Sequence, residues 1–303
     1  MSWINVQDYR SSNWLPGTDG GERARDYCRQ LEHGQILFFD QPPFAFSKED
    51  AGFLINQPQT DSRLHKNISY RPEEDVMRGF GGNATDEKRA HVILRNYCEE
   101  VTHFVSTLLA PYAGKMQRDY ASFRPLEEEG RDLPLHKRND LLHVDAFPSR
   151  PTHGGRILRV FTNVNPSKSR VWLTGERFPS LAKRYAQAAG LNSFAGASAR
   201  RSAMHLLHSV GIPVPDRSAY DEFMLRFHDF LKENSEFQKS GDKERVEFPP
   251  MSTWLVFTDG VPHAALSGQF AMEQTFIVPT EALVSREDSP IGVLEAICGK
   301  RLA

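Results

Sequence analysis

The sequence is short of several things. Only 3 cysteines occur in 303 residues, Cys28, Cys98 and Cys298, and none shares a CxxC spacing. A disulfide framework needs paired cysteines and a thiolate zinc site needs clustered ones, so both are excluded and a reducing compartment is expected. No apolar run approaches the roughly 20 residues that cross a bilayer as a helix. The opening MSWINVQDYRSSNW lacks the basic-then-apolar order of a secretory signal. These absences predict a soluble cytoplasmic protein. Excess charge is missing too, since 37 Lys and Arg stand against 39 Asp and Glu, a formal net charge of -2. Gripping a phosphate backbone needs a surplus of basic side chains, so nucleic acid is excluded as a partner. Internal repeats and low-complexity segments are absent.

What is present suffices for one sizeable core, since 39% of the residues are hydrophobic. A single domain over 1–303 is predicted. Gly34 to Asp40, GQILFFD, reads as a strand stopped by the following Gln-Pro-Pro, and Ser47 starts a capped helix. From Asp86 to Leu109, apolar Ile93, Tyr97, Val101, Phe104 and Leu108 recur at helical spacing, and Pro111 ends the run. The character then changes. YASFRPL, LLHVDAF, RILRVFTNVNP, TWLVFTDG and HAALSG are short, rich in branched and aromatic residues, and bounded by Gly, Pro and Asp, which predicts strands.

A helical insertion is predicted over about 176–246. It includes a helix beginning near Ser218 with Tyr220, Phe223, Met224, Phe227, Phe230 and Leu231 on one face. A last helix is predicted over about 289–302, with Ser289 as N-cap, Pro290 at its first position and Ile291, Leu294, Ile297 and Cys298 as an apolar stripe.

The chemistry concentrates in LLHVDAF. His143 and Asp145 are two apart in an extended run, so their side chains project from one face and can grip one ion. A third ligand is expected from a later strand, and His263 follows the apolar TWLVF after a tight turn. Two imidazoles and one carboxylate leave part of an octahedral ion open, the arrangement of non-haem iron(II) oxygenases. With 11 histidines an HxD arises by chance in roughly half of such chains, so the motif alone is weak. It gains from being the sole HxD or HxE, from its strand-like context and from the later strand-borne His263. The other histidines take the plainer reading. His91, His103, His205, His208 and His228 fall on predicted helices in surface or capped roles, and His153 in PTHGG is the one exception to watch.

A 2-oxoglutarate co-substrate needs a cation for its distal carboxylate, and arginine's planar fork suits it. In many such enzymes that arginine lies a little beyond the distal His. The corresponding stretch, SGQFAMEQTFIVP, has no Arg or Lys, and Gln274 stands where one is sought. The basic group is therefore expected from Arg124, Arg159 or Arg170, with Trp172 walling the same pocket.

The segments LLHVDAFPSRPTHGGRILRVFTNVNP, RVWLTGERF and FTDGVPHAALSGQFAMEQTF resemble the Kdo hydroxylase family of Gram-negative bacteria, and the likeness runs over most of the chain. That resemblance implies an α+β fold, a double-stranded β-helix (jelly-roll, cupin-like) core with flanking helices and an insertion. It implies an Fe(II)- and 2-oxoglutarate-dependent dioxygenase that consumes dioxygen, releases succinate and CO2, and hydroxylates the 3-position of Kdo on lipid A to give Ko. His143, Asp145 and His263 coincide with the family's metal ligands, and Arg124, Arg159, Arg170 and Trp172 fall in segments shared around its co-substrate. The implied acceptor, Kdo-lipid A, lies at the cytoplasmic face of the inner membrane. Peripheral contact could come from the last helix, ending in Lys300 and Arg301, or from Lys183, Arg184, Arg200 and Arg201 of the insertion. Packing of those helices on their own core or on a second subunit is the competing reading.

Two other functions fit the same residues. A cupin-like sugar isomerase or hydrolase on zinc or manganese would turn over without dioxygen. A non-catalytic carbohydrate- or lipid-binding jelly roll would take up no iron.

Overall fold

The computed structural model describes residues 3–7, 20–57, 67–196 and 216–303. Its elements run β1 (Trp3–Asn5), α1 (Gly20–Glu32), β2 (Ile36–Phe39), α2 (Lys48–Ile55), β3 (Ile68–Arg71), β4 (Val76–Arg78) and α3 (Ala84–Leu108). They continue with β5 (Gln117–Arg124), β6 (Arg156–Asn163), β7 (Arg170–Thr174), α4 (Phe178–Tyr185), α5 (Leu191–Gly196), α6 (Ala219–Glu233) and α7 (Ser235–Lys239). β8 (Glu244–Phe248), β9 (Thr253–Phe257), β10 (His263–Ser267), β11 (Ala271–Val278) and α8 (Pro290–Cys298) complete the chain.

The strands form a large sheet in the order β1-β2-β9-β6-β11-β5-β3-β4 and a small one in the order β10-β7-β8. Every pairing but the parallel β1–β2 is antiparallel. Two facing antiparallel sheets with helices outside make the double-stranded β-helix.

Period-two alternation sorts the strands into layers. On β6, Leu158 and Val160 join the core under α1 and α3, while Phe161 faces the small sheet. Between the sheets, Phe161, Trp172, Phe248 and Trp254 form an aromatic floor, with Phe248 stacked on Trp254 at 3.8 Å. Burying such side chains stabilises the fold by about 1.5–3 kcal/mol each. A third cluster backs the small sheet, where Leu142, Val144 and Ala264 meet the helices α4, α6 and α8.

Local signals act as expected at the helix ends. Ser47 accepts from Asp50 N, Asn83 accepts from Thr85 N and Asp86 N, and Ser218 makes a reciprocal capping box with Asp221. Three boundaries need correction. The helical stretch of the insertion ends at Lys239, because Glu244–Phe248 pairs with β7 as a strand. The last helix stops at Cys298 rather than near 302, where Gly299 takes φ 67° as a left-handed cap. LLHVDAF is extended but joins no ladder among the described residues, where its one bridge pairs His143 with His263. The last helix also turns its stripe toward the molecule, with Ile291 and Leu294 buried and Ile297 and Cys298 partly so. Lys183, Arg184, Lys300 and Arg301 are exposed, whereas Arg200, Arg201, His205 and His208 lie outside the described residues.

Candidate metal centre

The segment carrying His143 and Asp145 is held on both edges, by different means. On one edge it meets backbone: His143 N donates to His263 O at 3.1 Å, His263 N to His143 O at 3.0 Å, and Asp145 N to Thr258 O at 2.9 Å. On the other edge no strand is present among the described residues, and side chains replace one. The Gln238 amide accepts from Leu142 N at 3.1 Å and donates to Leu142 O at 2.9 Å, as a neighbouring strand would. His228 Nδ1 lies 2.8 Å from Val144 O. Residues 142 and 144 therefore point their backbone at α6 and α7, and residues 143 and 145 point theirs at β10 and the turn before it.

The three predicted groups converge. One ligand atom each from His143, Asp145 and His263 lies within 4.8 Å of the others, and all three are buried. His143 Nε2 is 3.6 Å from Asp145 Oδ1, and His263 Nε2 is 4.0 Å from Asp145 Oδ2. Each imidazole sets its Nδ1 against a backbone carbonyl, His143 at 2.7 Å from Leu141 O and His263 at 2.9 Å from Val261 O. The proton belongs on Nδ1, and the Nε2 lone pairs face the centre.

Burial pushes the His143 imidazole down to about 3 against the pull of Asp145, and burial lowers His263 as well. Burial would raise the Asp145 carboxyl, but Arg159 and the two imidazoles hold it well below the usual range. Two neutral imidazoles and an ionised carboxylate are the protonation states a divalent metal requires. Asp145 Oδ2 is also buried without a hydrogen bond, so the donor set fits such an ion.

Arg124, Arg159, Arg170 and Trp172 line the same pocket, with Asn139 and Phe161. Trp172 stacks on the His263 ring at 5.0 Å. The arginines are tied to two carboxylates that sequence reasoning missed. Arg124 Nε donates to Glu273 Oε2 at 2.7 Å, Arg159 Nη1 reaches Glu273 Oε1 at 2.8 Å, and Arg170 Nη2 donates to Glu128 Oε1 at 3.1 Å. Arg159 Nε stands 3.2 Å from Asp145 Oδ2 as an ion pair without hydrogen-bond alignment. Arg159 Nε, Arg170 Nε and Trp172 Nε1 are thus three buried donors, on residues that line one pocket, with no aligned acceptor among the described residues.

Other expectations change. Gln274 does not face this pocket: its Nε2 donates to Asp119 O at 2.9 Å and Thr275 O at 2.8 Å, and its neighbour Glu273 takes the inward position. His228 is neither a surface nor a capping residue, because its ring packs edge-on to His143 at 4.8 Å. Its helical spacing gave no sign of this, since α6 lies far from His143 in sequence. His153 stands apart from the triad, at φ 49° with its ring nearest Asp221.

A jelly roll whose interior presents two imidazoles, a carboxylate and buried arginines defines the class of Fe(II)- and 2-oxoglutarate-dependent dioxygenases. Within that class the chain belongs to the Kdo hydroxylase family: the model for 3-deoxy-D-manno-oct-2-ulosonic acid (Kdo) hydroxylase matches residues 18–301. The fold is shared with the Kdo hydroxylase KdoO, a non-haem Fe(II) α-ketoglutarate-dependent dioxygenase, in its complex with α-ketoglutarate and Fe(III). That likeness has a TM-score of 0.84 and 36% identity over 100% of this chain and 98% of the other. Apo KdoO matches with a TM-score of 0.84 and 36% identity over 100% and 97% of the two chains. Its succinate and Fe(III) complex matches with a TM-score of 0.82 and 36% identity over 99% and 96%. No match is found among curated proteins.

Proposed function

We propose that this chain hydroxylates the 3-position of Kdo on a Kdo-lipid A acceptor, giving Ko, with His143, Asp145 and His263 holding iron(II). The observation that carries the assignment is the meeting of those three ligand atoms, in metal-ready protonation states, with three unsatisfied donors beside them. Bound iron(II) supplies the activation of dioxygen that couples decarboxylation of 2-oxoglutarate to hydroxylation of a C–H bond. The balance is acceptor, dioxygen and 2-oxoglutarate in, hydroxylated acceptor, succinate and CO2 out.

The chain's own residues bind and orient. Arg170 and Arg159 offer Nε–H groups to the distal carboxylate of 2-oxoglutarate, and Trp172 Nε1 offers a third donor. Glu273 and Glu128 keep those guanidiniums aimed while the pocket is unliganded, which avoids reorganisation when the dicarboxylate arrives. The Nδ1 contacts to Leu141 O and Val261 O fix the imidazole tautomers. Phe161 and Trp172 exclude water from the reacting face.

The acceptor is lipid-borne, so the enzyme meets it at the cytoplasmic face of the inner membrane. No helix among the described residues is long and apolar enough to cross a membrane. Lys183 and Arg184 on α4 are exposed cations that favour an anionic surface, as are Lys300 and Arg301 in the tail beyond α8, whose Ile291 and Leu294 are buried.

The test is a coupled assay with iron(II), ascorbate, 2-oxoglutarate and Kdo-lipid A. Succinate should form in step with one added oxygen on Kdo by mass spectrometry, and His143→Ala should abolish both along with iron uptake. Turnover without dioxygen would favour the isomerase or hydrolase instead.

A further inference from the structure

Strand β5 carries a bulge beside the metal pocket. Gln274 of β11 pairs with Ala121 and Phe276 pairs with Arg118, so Asp119 and Tyr120 together stand opposite the single residue Thr275. In a regular strand they would face opposite sides, and an extra residue breaks that alternation and re-aims the side chains. Both consequently line one cavity of about 200 Å3, with Arg71, Glu74, Arg118 and Arg150. The Gln274 amide satisfies the carbonyl of Asp119 that the bulge sets free.

The cavity adjoins the metal pocket. Thr275 pairs on its other side with Arg159. The Phe147 ring, two residues beyond Asp145, lies 5.6 Å from Arg159 Cζ and 4.5 Å from Arg150 Cζ. Arg150 stacks over Tyr120 at 4.0 Å, and Arg71 approaches the same ring at 5.1 Å.

The lining decides the ligand chemistry. Three arginines face Glu73, Glu74 and Asp119, so a bare anion would meet as many carboxylates as guanidiniums. The unsatisfied atoms are of both kinds. Arg71 Nε and Arg150 Nε are buried donors without an acceptor among the described residues, and Asp119 Oδ2, 3.1 Å from Arg150 Nη2, has no aligned hydrogen bond. A hydroxyl both donates and accepts, so a polyhydroxylated ring suits guanidiniums and carboxylates in equal number, where an anion suits half of the lining.

We infer that this cavity is a sugar subsite, holding the unit next to the acidic sugar that is hydroxylated. It rests on the reaction proposed above and adds where the rest of the acceptor sits. Two water-soluble acceptors test it: the methyl glycoside of Kdo, which needs the metal pocket alone, and the deacylated glycolipid, which also reaches the cavity. The variants are Arg71→Ala, at a side chain 26% exposed and so outside the core, and Asp119→Asn.

Each variant should lower kcat/KM for the deacylated glycolipid at least about tenfold, the loss of one or two aligned hydrogen bonds. The methyl glycoside, the KM for 2-oxoglutarate and iron(II) uptake should be unchanged. Equal losses on both acceptors, or none on either, overturn the subsite. Should the wild-type chain oxidise neither acceptor, saturation-transfer NMR of the deacylated glycolipid on the wild-type protein decides. Saturation reaching the second sugar in the wild type and vanishing in Arg71→Ala supports the subsite although the reaction reading fails. A second sugar that receives no saturation from the wild-type protein overturns it.

Discussion

The two stretches that deliver the triad are built by different means. His263 opens β10, which runs in a backbone ladder with β7, and its turn hangs from β9. His143 and Asp145 lie on a segment with backbone on one edge and the side chains of Gln238 and His228 on the other. Backbone pairing survives almost any substitution, because every residue but proline carries the same N–H and C=O. Side-chain pairing depends on particular residues, so the His143 edge is where substitution far from the pocket reaches the triad. The helices of the insertion, remote in sequence from both stretches, thereby become part of the centre.

The largest effect we expect follows from removing a charge held only by side chains. Glu273→Leu leaves Arg124 and Arg159 buried without their shared carboxylate, which should cost roughly 3 kcal/mol or more of stability in chemical denaturation. Gln238→Ala breaks the side-chain edge itself. With Leu142 N–H and C=O left unpaired, about 2 kcal/mol of stability and about tenfold of iron(II) affinity should be lost, read by denaturation and metal titration. An unchanged affinity would erase the distinction between the edges.

A smaller effect should appear with pH. Burial would raise Glu273 and Glu128, but Arg124 and Arg159 on the first, and Arg170 and Arg124 on the second, hold both below the ordinary value of 4.5. As pH falls the unfolded chain takes up these protons first. The stabilisation is therefore complete above 4.5 and is lost as pH falls through the depressed folded values. Unfolding midpoints should decline in that range, and less steeply in Glu128→Gln. The smallest effect belongs to the backbone edge: Thr258→Val keeps the carbonyl that accepts from Asp145 N, so iron(II) affinity should not move.

Much of the fold was legible because the signals were local. Ser47, Ser218 and Ser289 cap helices through their own side chains, as the sequence indicated, whereas the left-handed stop at Gly299 was overlooked and the last helix drawn too long. The jelly roll came from the family resemblance, whereas Arg124, Arg159 and Arg170 were sought because no basic residue follows His263 in SGQFAMEQTFIVP. LLHVDAF reads wrongly as a ladder strand because its alternation is that of a strand, and no local feature says that helices will stand in for the missing neighbour. Gln274, standing where a distal arginine is sought, turns away because the alternation of β11, unbroken against β6, gives the pocket face to Glu273 and the opposite face to Gln274.

By itself the sequence determined which groups could ligate a metal, since two imidazoles and a carboxylate are fixed by residue identity, and that His143 and Asp145 share a face, since extended backbone repeats every second residue. Only the tertiary structure decided that His263 meets them, that Glu273 and Glu128 rather than solvent face the arginines, and that His228 and Gln238 complete the edge. Those are meetings between residues far apart in the chain, set by how the sheets and the insertion pack, and no local periodicity encodes them.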